Sequence, residues 1–235
     1  MRRRSEVSTI GVEALDTPEL DQETARATLA DIATANLLFG GQSAVAWGVD
    51  RLLDGQPLPP KLRVLDVGAG LGDVLVHLQH RLEREGVLVD PLALDWHRTA
   101  TTLSHARGLP SIAADALTLP IADKSVDIVI ASQLLHHFSR EAGRDLVREL
   151  DRVARLGVVV ADIRRTFVAA WGIWIAAVML GFHRVSRRDG VLSVRRGFTV
   201  PELVSLTEEA GISAEVRRRP GFRLVAHWRN AAHAR

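Results

Sequence analysis

The sequence predicts an α/β protein: an open, seven-stranded mixed sheet with helices on both faces, an N-terminal helical cap, and an apolar helical insertion after the fifth strand. Three observations lead there. Short, continuously apolar runs alternate with amphipathic segments from Lys61 onward, the pattern of parallel strands covered on both faces. A glycine-rich turn, VLDVGAGLGD over residues 64–73, joins the first of these strands to the helix behind it. Two strand-like runs flank Pro220-Gly221 near the end of the chain, as in an antiparallel hairpin.

Residues 1–17 show no periodicity and are expected to be frayed. Residues 18–54 read as two helices broken at Gly40-Gly41, with Thr17 as N-cap and Pro18 at the first helical position. The segment GQPLPP over 55–60 holds three prolines and reads as a linker. Strands are expected at 62–67, 89–94, 111–114, 126–131 and 158–161, and helices at 74–85, 97–107 and 140–155. Ser139 stands where the last of these helices needs its N-cap. The hairpin strands fall at 215–219 and 223–228. The division that follows is a cap over 1–60 and a ligand-binding domain over 61–235, with an insertion at 165–198.

Composition narrows the function. The chain of 235 residues contains no Cys, which removes disulfides, thiolate metal sites and a cysteine nucleophile and makes the cytoplasm the expected location. The pI is near 9.8, yet the net charge is only +2, and Lys occurs only at Lys61 and Lys124. Charges of both signs are spread along the chain without a basic stripe, so nucleic acid is not an expected partner.

The glycine turn carries the chemistry. Glycines at 68, 70 and 72 let the backbone turn sharply and approach a ligand closely, and the helix N-terminus behind them offers free N–H groups. The spacing Gly-x-Gly-x-Gly departs from the Gly-x-Gly-x-x-Gly of dinucleotide sites. Asp73 stands at that fingerprint's last position, where a carboxylate repels a pyrophosphate but suits an ammonium group. Asp95 closes the second strand, placed to accept the hydroxyls of a ribose. Asp115-Ala116 follows the third strand, placed to read an adenine edge. All three loops lie at carboxyl ends of parallel strands, where open α/β sheets bind ligands.

These segments, together with AADALTLPIADKSVDIVIASQLLHHF and the late GFTVPELVSLTEEAG, resemble the Rossmann-like class I S-adenosylmethionine-dependent methyltransferases, in particular the small-molecule branch that includes the quinone-biosynthesis enzymes. The family's D-A-x-x-L-P-x-x-D-x-S-x-D run is matched from Asp115 to Asp127. The resemblance implies S-adenosylmethionine as cofactor. Asp66, Gly68, Ala69 and Gly70 would line its methionine part, Asp95 its ribose, Trp96, Asp115 and Ala116 its adenine, and Ser132 and Gln133 would close the pocket beside the sulfonium. Gly72 divides evenly between helix packing and ligand contact, and Asp123 and Asp127 read as turn and strand-edge residues. The implied reaction is methyl transfer to oxygen or carbon of a small acceptor that is aromatic or apolar: a phenol, a quinone precursor or a polyketide-like compound.

His136 and His137 follow the fourth strand beside the expected methyl site. A histidine there can act as general base, and His137 is favoured over His136. Neighbouring residues ordinarily point apart, so the pair is not expected to hold a metal, and no other metal-ligand set stands out. His97, next to the cofactor acid, reads as structural or adenine-side. Asp162 ends the fifth strand and is expected at the active-site rim. Arg188-Asp189-Gly190 and Arg195-Arg196 form either a cationic edge to the substrate pocket or a solvated face. The 17 uncharged residues at 166–182, with Trp171, Ile173 and Trp174 among them, fall at the lower limit for a membrane span. They fit a substrate lid, a homodimer face or a membrane-surface contact better. The competing functions are an S-adenosylmethionine-binding protein without catalysis and an NAD-dependent oxidoreductase.

Overall fold

The order of the sheet is what places the site. A computed structural model describes residues 8–17, 20–55 and 59–230. Its seven strands are β1 (Lys61–Val67), β2 (Leu88–Asp95), β3 (Ser111–Ala113), β4 (Val126–Ser132), β5 (Ala154–Ile163), β6 (Glu215–Arg219) and β7 (Arg223–Arg229). They lie in the order β3-β2-β1-β4-β5-β7-β6. The first five are parallel, whereas β7 runs antiparallel to both β5 and β6. The strand order reverses between β1 and β4, so a crevice opens at their carboxyl ends.

Helices cover both faces, as the continuous burial of the strands requires. On one side, Leu146 and Leu150 of α5 (Arg140–Val153) and Leu203 and Leu206 of α8 (Val200–Glu209) pack on the sheet. On the other, Val45 and Val49 of α2 (Gly41–Leu53) and Leu75 and Leu78 of α3 (Asp73–Arg84) do the same. A small third cluster joins Leu29 of α1 (Gln22–Leu38), Leu71, and Ala100 of α4 (Arg98–Ala106). The Ser139 hydroxyl caps α5, accepting from the Ala142 amide at 3.3 Å.

Three local expectations need correction. The first described helix starts at Gln22, not at Pro18: Asp21 is its cap, with its carboxylate accepting from the Thr24 amide at 2.9 Å. Pro18 and Glu19 themselves lie outside the described residues, as do 56–58 of the expected linker and 1–7 of the expected frayed end. Residues 8–17 are ordered: a 3-10 turn (Ala14–Asp16) is held by its own capping box, and Glu13 is buried. Finally, β5 begins at Ala154, so α5 passes directly into it. Arg155 at the strand edge obscured this start, because its guanidinium pairs with Asp127 across the sheet at 2.7 Å.

The apolar stretch after β5 is a helical hairpin, α6 (Phe167–Met179) and α7 (Arg184–Arg196). The Thr166 hydroxyl caps α6, accepting from the Ala169 amide at 3.0 Å. No described helix is long and apolar enough to cross a membrane.

Candidate active site

A cleft at the carboxyl ends of β1, β2 and β4 gathers most of the residues singled out for the cofactor. Asp66, Gly68, Ala69, Gly70, Asp95, Trp96, Ala116, Ser132 and Gln133 all line it, together with His97 and His137. Asp115 does not: its carboxylate accepts from the Leu117 amide at 3.0 Å and shapes the turn after β3. Gly68 and Gly72 adopt left-handed φ of 75° and 72°, a region that side chains resist. At Gly72 a Cβ would also stand 2.2 Å from Leu109 Cδ1, so this glycine serves helix packing. Asp123 pairs with Arg152, and Asp127 accepts from the Arg63 amide, so both are structural.

The cleft is acidic and incompletely satisfied. Asp95 accepts from the Gly70 amide at 3.0 Å and the His97 amide at 2.8 Å, which ties the end of β2 to the glycine turn. Burial raises the Asp66 carboxyl well above its ordinary value, and the charges of Asp73 and Asp95 push the same way. Asp66 Oδ1, Ser132 Oγ and both ring nitrogens of His97 are buried without a hydrogen-bond partner. Buried polar atoms are nearly always paired, so these three side chains fit a polar ligand in the cleft. The cleft encloses about 100 Å³, less than the roughly 300–1,000 Å³ of typical ligand sites. Leu29 and Ile32 of α1 and Leu15 of the 3-10 turn line it on the α1 side.

Two polar contacts join α1 to this wall. Gln133, at a φ of 53°, donates its side-chain amide to Asn36 Oδ1, and Asn36 donates to Asp73 at 3.2 Å. Asn36 is buried in an otherwise weakly patterned helix and gave no local signal in the sequence.

The histidine pair sits in a 3-10 turn (Leu135–His137) with ring centroids 4.3 Å apart. Contrary to expectation the two rings lie close together, with the Nε2 atoms of both near the Glu13 carboxylate at 3.7 Å and 3.8 Å. His136 is buried, its Nδ1 2.7 Å from Asp162 Oδ1, and its amide donates to Asp162 Oδ2 at 3.1 Å. Asp162 is therefore not at the rim but fully buried beneath it. Burial tends to raise its carboxyl, but the charge and hydrogen bond of His136 hold it below the ordinary value. Arg223, also buried, is pushed down to about 10 by desolvation against the pull of Asp162.

His137 faces the cleft, and its Nδ1 lies 2.7 Å from Asp16 Oδ1. Burial lowers its pKa, but Glu13 and Asp16 outweigh that and raise it above the usual histidine value. Asp16 responds inversely: burial opposes ionisation, while His137 and Arg196 hold the carboxyl far below its ordinary value. The Arg196 side chain is fully buried, 3.1 Å from Glu13 Oε1 and 2.9 Å from Asp16 Oδ2. The ambiguous run Arg195-Arg196 thus divides, with Arg195 exposed and Arg196 inside. Likewise Arg188 is exposed, whereas Asp189 is buried and accepts from the Ala14 amide at 2.8 Å. Neither Glu13 nor Asp16 is legible as a site residue, since both lie in a segment without periodicity.

A second cavity of about 230 Å³ adjoins the first, sharing Gln133 and Ile32 with it. Its walls are mainly apolar: Phe39, Ile163, Ile173, Phe182, Val194 and Phe222.

Comparison with known proteins agrees with this geometry. Residues 64–157 match a family described as a methyltransferase domain. The matched segment runs from the glycine turn through α5 into β5 and so includes most of the strand ends that line the cleft. Among curated relatives, it is 37% identical over 112 residues to a demethylmenaquinone methyltransferase of Roseiflexus sp. (strain RS-1), covering 44% of this chain and 43% of that one. It is 28% identical over 142 residues to norajmaline N-methyltransferase of Rauvolfia serpentina, covering 55% and 47%. The chain thus spans less than half the length of these relatives. The plantazolicin methyltransferase BpumL, solved in complex with SAH, has the same fold, with a TM-score of 0.65 at 12% identity over 92% of each chain.

Proposed function

We propose that the chain transfers a methyl group from S-adenosylmethionine to an oxygen or carbon of a small, apolar or aromatic acceptor, as a cytoplasmic enzyme. The observation that carries this reading is the acidic, unsatisfied cleft. Asp66, Asp73 and Asp95 surround a glycine turn. That charge suits a ligand with an ammonium and a sulfonium and opposes the pyrophosphate of NAD. Asp66 would hold the ammonium, Asp95 the ribose, and Trp96, His97 and Ala116 the adenine. Asp115 would act only through its turn, and Ser132 and Gln133 would close the sulfonium end. When bound, the cofactor supplies a methyl carbon already activated for displacement.

The protein's part is position, dryness and one proton. The apolar cavity meets the cofactor cleft at Gln133, so an acceptor seated there approaches the end of the cleft where Ser132 and Gln133 stand. The demethylmenaquinone relative is named for a quinone acceptor, in keeping with such walls. His137 takes the acceptor's proton. Asp16 holds its Nδ1 and stabilises the imidazolium that forms, while Nε2 lies 3.8 Å from Glu13 Oε2, beyond hydrogen-bond reach and available as acceptor. His136 lines neither cavity and positions His137, fixed in turn by Asp162.

The test is calorimetry with S-adenosylmethionine and NAD, followed by transfer of labelled methyl to a panel of phenols, quinols and hydroxylated polyketides. Binding of the first with turnover on an apolar phenol or quinol is expected. NAD binding instead would overturn the cofactor, and cofactor binding without turnover across the panel would leave a binding protein.

A further inference from the structure

The face of α6 turned away from the apolar cavity is itself apolar and unpartnered. Phe167 is 92% exposed, Met179 82% and Trp171 69%, and Trp174, Ile175 and Val178 are exposed with them. Soluble proteins seldom leave so many large side chains together in water without a partner. Beside this face stand four arginines of α7. Arg184, Arg187, Arg188 and Arg195 line a shallow groove with Trp174, and among the described residues none of the four has a carboxylate within salt-bridge distance.

We propose that the α6–α7 hairpin docks the protein on an anionic phospholipid bilayer. α6 would lie in the plane of the interface with its aromatic face among the acyl chains, and the α7 arginines would sit at the headgroups. Aromatic and apolar residues on one side with unpaired cations along the flank is the pattern of interfacial helices. At 13 residues, α6 is about 20 Å long, too short for a hydrocarbon core of about 30 Å, so it rests on the membrane without crossing it. A second copy of the chain fits less well. A two-fold interface places each patch against its twin, which brings these arginines of both copies to one seam, and among the described residues none of them has a carboxylate of its own chain within salt-bridge distance.

The experiment needs no turnover, so its outcome is independent of the chemistry proposed above. The full chain is mixed with vesicles of phosphatidylglycerol and phosphatidylcholine, or of phosphatidylcholine alone, and floated on a density gradient. Strong binding to the mixed vesicles at low salt is expected, falling on the order of ten-fold or more without anionic lipid or at high salt. The double variant Arg184→Glu, Arg188→Glu and the single variant Phe167→Glu should each lower binding by a similar factor. All three positions are exposed, and unchanged circular dichroism reports the fold of the variants. In the unmodified chain, brominated acyl chains should quench tryptophan fluorescence. Absence of flotation with the mixed vesicles overturns the inference. So does light scattering that finds a stable dimer which Phe167→Glu splits, because a second copy then covers the face.

Discussion

The two walls of the cleft are built by different means. The wall with the glycine turn consists of neighbouring strand ends: Asp66 stands one residue before the end of β1, Asp95 closes β2 and Ser132 closes β4, each followed within a few residues by its turn. The opposite wall, which carries His137, is assembled from distant segments. Asp16 meets His137 across 121 residues, and Arg196 meets Asp16 across 180. One wall depends on local backbone geometry, the other on a buried network of charges that exists only once α7 and the N-terminal segment have docked. The first wall should tolerate single substitutions with a measurable loss of binding. The second should lose chemistry or stability.

The largest effect is expected at His137. Substituting it with Ala should lower kcat by ~10²–10⁴-fold and leave S-adenosylmethionine affinity nearly intact, as measured by single-turnover kinetics and calorimetry. Because Glu13 and Asp16 raise its pKa, the base form gains population as pH rises, so the rate should climb through a midpoint above the ordinary histidine value of about 6.5. A flat profile in the unmodified chain would assign the proton to another group. Equal losses of cofactor binding and kcat in His137→Ala would erase the distinction between the walls.

Arg196→Met comes next. It leaves Glu13 and Asp16 buried without their cation, which costs about 3–5 kcal/mol for a broken buried pair. The pH dependence of stability carries its own sign. The depressed Asp16 carboxyl contributes stability that is full above its unfolded value and lost as pH falls through its lowered one. The raised His137 contributes stability that is present below about pH 6.5 and lost as pH rises through its raised value. Because Arg196 itself holds the His137 value down, urea titration across pH should show the variant losing most above the raised His137 value, where the neutral imidazole no longer stands in for the missing cation. A change under 1 kcal/mol would mean that residues 8–17 do not dock in solution.

On the glycine-turn wall the expected effect is smaller. Asp95→Ala should weaken S-adenosylmethionine binding by about 1–3 kcal/mol, with kcat at saturation little altered. Unchanged binding would remove Asp95 from the site and leave it a structural residue that holds the Gly70 and His97 amides.

The same division decides what could be read from the sequence. The succession of strands and helices along the chain, the glycine turn and most of the candidate cofactor residues follow from patterns no longer than about ten residues, and the structure brings those residues to one crevice. The Glu215–Arg219 strand falls where the Pro220-Gly221 turn indicated. What failed depended on tertiary contact. Asp162 looked like a rim residue because it ends a strand, yet the His136 turn folds over it. Residues 8–17 looked frayed because Glu13 and Asp16 are fixed by ion pairs with α7 and not by apolar periodicity. Arg195 and Arg196 are indistinguishable as letters, and only helical phase sends one to solvent and the other inside.

The smallest expected effect, none, tests that ion-pair network most sharply. Glu13 Oε1 lies 3.7 Å from His136 Nε2 and Glu13 Oε2 lies 3.8 Å from His137 Nε2, and these three side chains converge closely enough to hold an ion. Each histidine also rests its other nitrogen on a carboxylate, Asp162 or Asp16, as metal-bound histidines do. The arrangement differs from a metal centre in one respect. The Arg196 guanidinium is already hydrogen-bonded to Glu13 Oε1 and Asp16 Oδ2, so the cation that these carboxylates need is built into the chain. A divalent ion between the histidines would face that buried guanidinium at short range. The same carboxylates raise the affinity of His137 for a proton, which a bound metal would have to displace. Chelation with EDTA should therefore leave kcat and thermal stability unchanged, and elemental analysis should find no stoichiometric metal. One equivalent of metal, with activity lost on chelation and restored by zinc, would turn the network into a metal centre. It would also remove His137 from the role of base, because its free nitrogen would then be a ligand.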